Sequence, residues 1–262
     1  MKVWLSGDLL DADEAHISPF DRGFLLGEGV FETFRSYGSR VPTAREHLER
    51  LGSGCDALGL RVPATDELVT AVITLLRENE LRDARIRITV TAAANLVTAL
   101  SLEPWPETAT AVLAPWPHNE KSPLAGVKTT SRADTVVGLA HARSQGADEA
   151  IFLNLAGNLC EAATANMFVV RKNRVETPPL SAGCLPGITR RHVLAVCEEM
   201  GTEAAETDLS LDAVAQADEM FLTSSTRGIQ PLVAWPGQSG KRPGSITLRL
   251  QQQLQQAIEL SS

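Results

Sequence analysis

Residues 161–190 read EAATANMFVVRKNRVETPPLSAGCLPGITR, and the elements predicted in this stretch indicate the fold class. Its apolar residues predict a strand near Met167–Arg171 and a second strand at Val175-Glu176. A glycine-punctuated loop follows and leads into a helix predicted from Thr189 to Met200. Such a junction offers backbone N–H groups and the positive end of a helix dipole, so it favours an anion, typically a phosphate.

Strands and helices also alternate on the N-terminal side of this stretch. Thr43 and Glu46 have the spacing of a capping box, which predicts a helix that ends near Gly59. Residues 84–91 alternate between apolar and polar side chains, the period of a half-buried strand. We therefore expect an α/β (α+β) chain built in two parts.

The boundary between the two parts is predicted from proline content. Residues 115–123 read PWPHNEKSP, the most linker-like composition in the chain. This composition predicts a small N-terminal α/β domain over residues 1–118. It also predicts a larger C-terminal α/β domain over residues 119–262.

Composition and charge restrict the class of protein. The chain has 262 residues, with 24 Lys plus Arg against 32 Asp plus Glu, a net charge of −8. An acidic surface disfavours nucleic acid and anionic membranes as partners, but a local pocket of donors can still bind a small anion. The four cysteines are scattered without a CxxC pair, so we expect buried reduced thiols and no metal site. With no signal peptide or apolar run of bilayer length, the expected compartment is the cytoplasm.

Three further segments attract notice as candidate chemistry. Residues 223–226 read TSST after a predicted strand, a row of hydroxyls and amides suited to a phosphate. Lys128 and Glu161 each lie near small or hydroxyl-bearing residues. Taken singly, these features are also typical of turns and surface residues.

Together, these segments resemble the class IV aminotransferases, a family that includes branched-chain and D-amino-acid transaminases and 4-amino-4-deoxychorismate lyase. The family signature runs from a Glu, through Asn-apolar-aromatic and a Thr, to L-x-G-I-x-R. Here it reads Glu161, Asn166-Met167-Phe168, Thr177 and Leu185–Arg190, with the family's gap lengths. Residues 20–32 resemble the family's N-terminal strand block, and residues 47–51 (HLERL) its phosphate-binding helix.

The resemblance implies a two-domain fold of PLP fold type IV, with pyridoxal 5′-phosphate (PLP) in the interdomain cleft and most cofactor contacts from the C-terminal domain. It implies a homodimer with a small amino acid or keto acid as substrate. Lys128 would form the Schiff base and move the substrate α-proton, and Glu161 would protonate the pyridine nitrogen. The other implied cofactor ligands are Arg50, Arg132, Leu185, Ile188, Thr189, Ser224 and Ser225.

Departures from the family pattern concern the substrate. Arg132 stands where branched-chain transaminases commonly have a Tyr, and Tyr37 is the one tyrosine in the chain. Phe31 replaces the pocket Tyr of D-amino-acid transaminases, and Arg227 is a candidate to bind a substrate carboxylate. Three alternatives stay open: a transaminase, favoured by the family's usual activity; a lyase that releases p-aminobenzoate and pyruvate; and a PLP-binding protein without turnover.

Overall fold

A computed structural model describes residues 1–38 and 40–260, which divide into two compact units. Unit 1 contains Met1–Pro104, Val127–Arg132 and, near the chain end, Ile258; unit 2 contains Trp105–Gly126 and Ala133–Ala257. The contacts thus divide the chain at residues 104 and 105, whereas the sequence placed a boundary at residue 118. Residues 127–132, assigned from the sequence to the C-terminal part, belong to unit 1.

Unit 1 is an antiparallel sheet covered by helices. Its five strands, in the order β2-β1-β5-β4-β3, are β1 (Lys2–Leu5), β2 (Asp8–Asp11), β3 (Gly29–Arg35), β4 (Ala84–Thr91) and β5 (Asn95–Ser101). Its helices are α1 (Arg22–Leu26), α2 (Ala44–Leu58) and α3 (Thr65–Glu78). The predicted alternation in β4 is confirmed, because Ile86, Ile88 and Val90 are fully buried in one apolar core with α2 and α3.

Two local predictions for unit 1 are wrong. Helix α2 begins after Thr43 as expected, but the Thr43 side chain makes no capping hydrogen bond, because its backbone (φ −97°, ψ 8°) is not the extended N-cap conformation. The block at residues 20–32 is not all strand, since residues 22–26 form α1. Asp21 caps this helix by accepting from Phe24 N–H, and Gly27 ends it in a left-handed conformation (φ 68°).

Unit 2 contains a mixed eight-stranded sheet. Its strands, in the order β11-β10-β9-β12-β13-β6-β7-β8, are β6 (Ala109–Leu113), β7 (Glu149–Leu153), β8 (Leu159–Ala162), β9 (Asn166–Arg171), β10 (Arg174–Thr177), β11 (Ala204–Glu206), β12 (Glu219–Ser224) and β13 (Gly228–Ala234). Its helices are α4 (Ala133–Ser144), α5 (Ile188–Glu199), α6 (Leu211–Ala215) and α7 (Ser245–Leu260). The predicted strand–strand–loop–helix order of the opening stretch is confirmed as β9, β10 and α5.

Two expectations from composition can be compared with the described residues. All four cysteines are free and buried, as expected for reduced thiols. Within residues 1–38 and 40–260, none of the helices combines the length and apolar character needed to cross a membrane.

Candidate functional site

The Lys128 segment is an added edge along β3 in unit 1. Phe31 N–H donates to the Lys128 carbonyl at 2.9 Å, and Thr130 N–H donates to the Gly29 carbonyl at 2.8 Å. These bonds fix the backbone from the Lys128 carbonyl to the Thr130 amide, directly after the Lys128 side chain. Its half-buried ammonium nitrogen lies 4.7 Å from the centroid of the Phe31 ring. Tertiary pairing therefore positions Lys128 over an aromatic face.

Phe31 is shared between two cations. Its ring is 8% exposed, and the Arg87 guanidinium carbon lies 3.8 Å from the ring centroid. Burial lowers the pKa of Arg87, and the charges of Arg85 and Arg132 lower it further. Among the residues that the structure describes, no carboxylate forms an ion pair with Arg87. Its positive charge is therefore stabilised by the ring and by the Thr89 hydroxyl, 3.2 Å from Nε.

Arg50, the predicted phosphate ligand, belongs to a buried cluster with Glu32 and His47. Arg50 Nε and Nη2 donate to the two Glu32 carboxylate oxygens at 2.7 and 2.8 Å. His47 Nδ1 lies 2.6 Å from Glu32 Oε2, and both side chains are fully buried. Burial alone would raise the pKa of Glu32, but the bonds from Arg50 and His47 lower it to about 2. Burial lowers the pKa of His47, which favours the neutral ring with Nδ1–H as donor.

Glu161 and Leu185 meet in unit 2. Leu185 N–H donates to Glu161 Oε2 at 2.9 Å, and the Asn166 amide donates to the Leu185 carbonyl at 2.8 Å. Leu185 is thus held from both sides of its backbone. Two residues of the sequence motif, Glu161 and Leu185, therefore meet through the Leu185 backbone amide. The Asn166 side-chain amide, for which no role was predicted, binds the Leu185 carbonyl. Glu161 itself is half-buried.

The start of α5 forms a group of donors in unit 2. Gly187 is its N-cap and has no side-chain acceptor for the first-turn amides of Ile188 and Thr189. The Thr189 hydroxyl lies 3.5 Å from the Ser225 hydroxyl, which follows β12. These amides and hydroxyls are the types of group that bind phosphate oxygens.

The loop that holds Ser225 is a tight hairpin between β12 and β13. Ser224 pairs with Gly228 across the turn, and Gly228 has a positive φ of 66°. A side chain at this position would be strained, because residues other than glycine rarely adopt this conformation. The hairpin geometry therefore accounts for the glycine at residue 228.

Arg227 is tied into unit 2 by strong partners. Its Nη2 donates to Glu149 at 2.8 Å and to Thr164 at 2.6 Å, and its guanidinium lies 4.2 Å from the Trp105 ring centroid. The exposed fractions of the Arg227 and Glu149 side chains are 2% and 3%. This geometry supports a structural role, and a role for Arg227 in substrate binding stays a prediction.

Tyr37 and Arg132 have different surroundings. Tyr37 lies two residues beyond the end of β3, and the Arg35 guanidinium carbon is 4.3 Å from its ring centroid. Arg132 is half-buried and close enough to Arg87 for its charge to lower the pKa of that residue. Arg132 is therefore an electrostatic neighbour of Arg87, the arginine that lies over the Phe31 ring.

Several positions near the predicted residues were missed by sequence reasoning. They are Glu32, His47 and Arg87 in unit 1, and Asn166 in unit 2. Asn166 belongs to the quoted signature, and Glu32 is a lone acid in an apolar strand, so each carried a signal. No sequence signal distinguished Arg87, because a charged residue in an alternating strand normally marks the solvent face.

Comparison with known proteins identifies the family. The family model for amino-transferase class IV matches residues 29–235. A Methanocaldococcus jannaschii protein assigned as a branched-chain-amino-acid aminotransferase is 32% identical, covering 96% of this chain and 94% of its own. D-alanine aminotransferase of Bacillus licheniformis is 30% identical, covering 98% of this chain and 97% of its own.

Solved structures agree in fold. A branched-chain aminotransferase from Thermoproteus uzoniensis, crystallised with norvaline, superposes with a TM-score of 0.92 at 29% identity, covering 100% of this chain and 96% of its own. A Legionella pneumophila protein assigned as a 4-amino-4-deoxychorismate lyase gives 0.89 at 25% identity, covering 94% and 97%. Both structures thus share the fold over nearly their whole lengths. The chain therefore belongs to the class IV aminotransferases, a family of enzymes that depend on pyridoxal 5′-phosphate.

Proposed function

We propose that this enzyme transfers an amino group from a carboxylate-bearing amino acid to a 2-keto acid, with Lys128 as its catalytic residue. The observation that carries the proposal is the placement of Lys128, whose backbone is fixed by pairing along β3 and whose ammonium nitrogen lies 4.7 Å from the Phe31 ring centroid. Pairing along β3 holds the Lys128 amine at a fixed position against the buried Phe31 ring. An amine held in this way can serve as a nucleophile and base.

The donors on the chain fit the chemical groups of pyridoxal phosphate. The phosphate needs several N–H or O–H donors, which α5 and the hydroxyls of Thr189, Ser224 and Ser225 supply, with Arg50 as the cationic ligand. The pyridine nitrogen needs a carboxylate, which Glu161 supplies while Leu185 N–H holds one of its oxygens at 2.9 Å. Leu185 would pack beneath the ring, and Arg132 would lie near the cofactor. When bound, this cofactor supplies an electron-withdrawing ring that stabilises negative charge at the substrate α-carbon.

The chain's own residues then divide the work. Lys128 would hold the cofactor through its amine and afterwards move the α-proton at Nζ. Glu161 would keep a proton at the pyridine nitrogen, and Arg50 would fix the phosphate end. Phe31 would limit the water that reaches the Lys128 nitrogen, because its ring covers one side of that amine.

The surroundings of Arg87 support the proposal that the substrate carries a carboxylate. It lies on the same ring as Lys128, and its charge is not neutralised by a carboxylate among the described residues. A half-buried guanidinium with a lowered pKa gains most from an anionic partner. We therefore expect amino acids to react and matched amines that lack the carboxylate to react poorly.

The experiment compares Lys128→Ala with Lys121→Ala, a change at an exposed lysine seven positions away. Each protein is loaded with pyridoxal phosphate, reduced with borohydride, digested and analysed by mass spectrometry. We expect the cofactor mass on the peptide that contains Lys128 in the wild type and in Lys121→Ala, and on no peptide in Lys128→Ala. Attachment to one of the other four lysines would refute the assignment.

The same preparations report on the reaction. Wild-type enzyme is mixed with a panel of amino acids, the matched amines and aminodeoxychorismate, and the products are identified. Keto-acid formation from an amino acid identifies the transaminase and its donor. If p-aminobenzoate and pyruvate form from aminodeoxychorismate alone, the lyase activity is the correct one, and cofactor binding without any product indicates a protein without turnover.

The lyase is the second candidate because of two observations. The Legionella pneumophila structure assigned to that activity shares the fold at a TM-score of 0.89. Arg87 lies over the Phe31 ring, and the charge of Arg132 acts on Arg87, so a substrate with more than one carboxylate would find two neighbouring cations.

We also propose a homodimer in the cytoplasm. Residues 17–26 of unit 1 present an apolar surface whose exposed fractions range from 49% to 83% at Ile17, Phe20, Phe24, Leu25 and Leu26. A second copy of the chain that covered this surface would remove it from water. The four reduced buried thiols support a reducing compartment. A monomer mass for the holoenzyme in sedimentation equilibrium would contradict the dimer.

A further inference from the structure

A carboxylate in the core of unit 1 has no role in the reaction as described above. In strand β3 the side chains of Val30, Glu32 and Phe34 lie on the core-facing side, where the relative exposure of Glu32 is 0%. Its apolar neighbours on the strand belong to the core formed with α2 and α3. An ionised carboxylate in such surroundings loses several kcal/mol of hydration and persists only when well paired.

Both side chains that pair with Glu32 lie on helix α2. His47 and Arg50 are one turn apart on α2, and both contact the same carboxylate. Arg50 is bound through Nε and Nη2 in a bidentate pair, which fixes the plane of the guanidinium as well as its position. His47 stacks on Phe34 at a centroid distance of 4.9 Å, so its ring and its Nδ1–H have one orientation. The cluster therefore determines the direction in which the Arg50 guanidinium faces.

Stability alone is a weak reason for this cluster. Replacing a buried ion pair with apolar residues of similar volume is often neutral or stabilising. Arg50 is also not fully covered, because 14% of its side chain is exposed. A partly exposed arginine whose guanidinium plane is fixed from the core side is suited to bind an anion.

We propose that Glu32 is a positioning residue for the cofactor phosphate, acting through Arg50, with His47 holding the second carboxylate oxygen. This inference rests on the proposed role of Arg50 as a phosphate ligand. Glu32 itself touches neither cofactor nor substrate in this scheme. Its contribution is the orientation of Arg50 before the phosphate arrives, which reduces the entropy lost on binding.

Because Glu32 is charged, electrostatics and positioning predict opposite changes in phosphate affinity when it is neutralised. A negative carboxylate beside Arg50 repels a phosphate, so a purely electrostatic view predicts tighter binding when Glu32 is neutralised. Positioning predicts the reverse, because a neutral amide of the same shape grips the guanidinium less firmly. Glu32→Gln therefore separates the two explanations.

The experiment is a double-mutant cycle on cofactor affinity. Dissociation constants for pyridoxal 5′-phosphate, and for pyridoxal, which lacks the phosphate, are measured by equilibrium dialysis on wild type, Glu32→Gln, Arg50→Ala and the double variant. We expect Glu32→Gln to weaken the phosphate-bearing ligand by about tenfold, the size of one hydrogen bond to a charged group. Pyridoxal affinity should not change, and Glu32→Gln should have no further effect once Arg50 is absent.

Arg50→Lys covers the case in which Glu32→Gln does not fold. Lysine keeps the charge but cannot form the bidentate pair, so we expect a similar loss of affinity for the phosphate-bearing ligand. Wild-type affinity in Arg50→Lys would overturn the positioning role. Unchanged or tighter binding in a folded Glu32→Gln, or an equal loss for pyridoxal, would also overturn it.

The failure of the proposed function looks different. If Arg50→Ala leaves the affinity for pyridoxal 5′-phosphate unchanged, Arg50 is not a phosphate ligand and both proposals lose that residue. If Arg50→Ala weakens binding while Glu32→Gln does not, the phosphate role stands and only the positioning by Glu32 is wrong.

Discussion

We expect Gly187→Ala to displace the amide donors at the start of α5, although alanine can adopt the backbone conformation of Gly187. Gly187 has φ −67° and ψ 134°, a conformation that alanine adopts without strain. At such a position with open space, alanine would stabilise the protein by about 0.4–1 kcal/mol through the unfolded chain. Here the added Cβ would lie 1.9 Å from Asn166 Oδ1.

The size of the effect follows from that distance. Real Cβ atoms essentially never approach a heavy atom closer than 3.0 Å, so Asn166 or the loop must move by at least 3.0 − 1.9 = 1.1 Å. Such a shift breaks the 2.8 Å bond from Asn166 to the Leu185 carbonyl, at about 1 kcal/mol. Overpacking adds about 1–3 kcal/mol, so Gly187→Ala should lower the free energy of unfolding by about 2–4 kcal/mol.

The assays are urea unfolding of the apoenzyme and the dissociation constant of pyridoxal 5′-phosphate. We expect lower stability and at least tenfold weaker binding, since the first-turn amides move with Gly187. Gly52→Ala, a change inside α2, is the matched control. The added Cβ would have one neighbour within 4 Å, Val62 Cγ1 at 3.8 Å. That change should stabilise by about 0.5–1 kcal/mol.

A second variant isolates the clash. Asn166→Ala removes the obstructing oxygen, so Asn166→Ala with Gly187→Ala should be less destabilised than the sum of the single changes. If Gly187→Ala unfolds at the wild-type urea concentration and binds cofactor normally, the steric reasoning is refuted. Strict additivity in the double variant would refute it too.

Two further predictions concern buried charges. Because the folded pKa of Glu32 is lowered from 4.5 to about 2, its contribution of about 3 kcal/mol should be present above pH 4.5 and lost as the pH falls toward 2. In Glu32→Gln the loss of unfolding free energy between pH 6 and pH 3, measured with urea, should be smaller, and an unchanged pH dependence would contradict this assignment. Arg227→Ala should cost about 3–5 kcal/mol, because it leaves the buried Glu149 carboxylate unpaired. Arg45→Ala, at a side chain that is 89% exposed, is the control; a raised KM with unchanged stability in Arg227→Ala would instead support a direct substrate contact.

Local pattern predicted most of the elements that carry the candidate site. The alternation of residues 84–91 is sufficient for β4, because period-two burial follows from the pleat of any half-buried strand. The loop and helix at the end of the quoted stretch were predicted for the same kind of reason, since glycines and an amphipathic run are local signals. Helix α1 was missed because its five residues bury no side chain. A helix that buries none of its side chains needs no apolar periodicity, so that pattern contained no signal for it.

The family could be recognised from the sequence, because the signature from Glu161 to Arg190 consists of residue types at spacings that depend only on position along the chain. The same resemblance predicts Lys128 as the catalytic lysine. The partners of Glu32 and Arg227, in contrast, depend on the tertiary structure. Glu32 with Arg50, and Arg227 with Glu149, are 18 and 78 positions apart and meet only because the strands and helices that carry them pack together. Burial at those meetings sets the charge state and orientation of each side chain, since both depend on the three-dimensional surroundings and not on sequence neighbours.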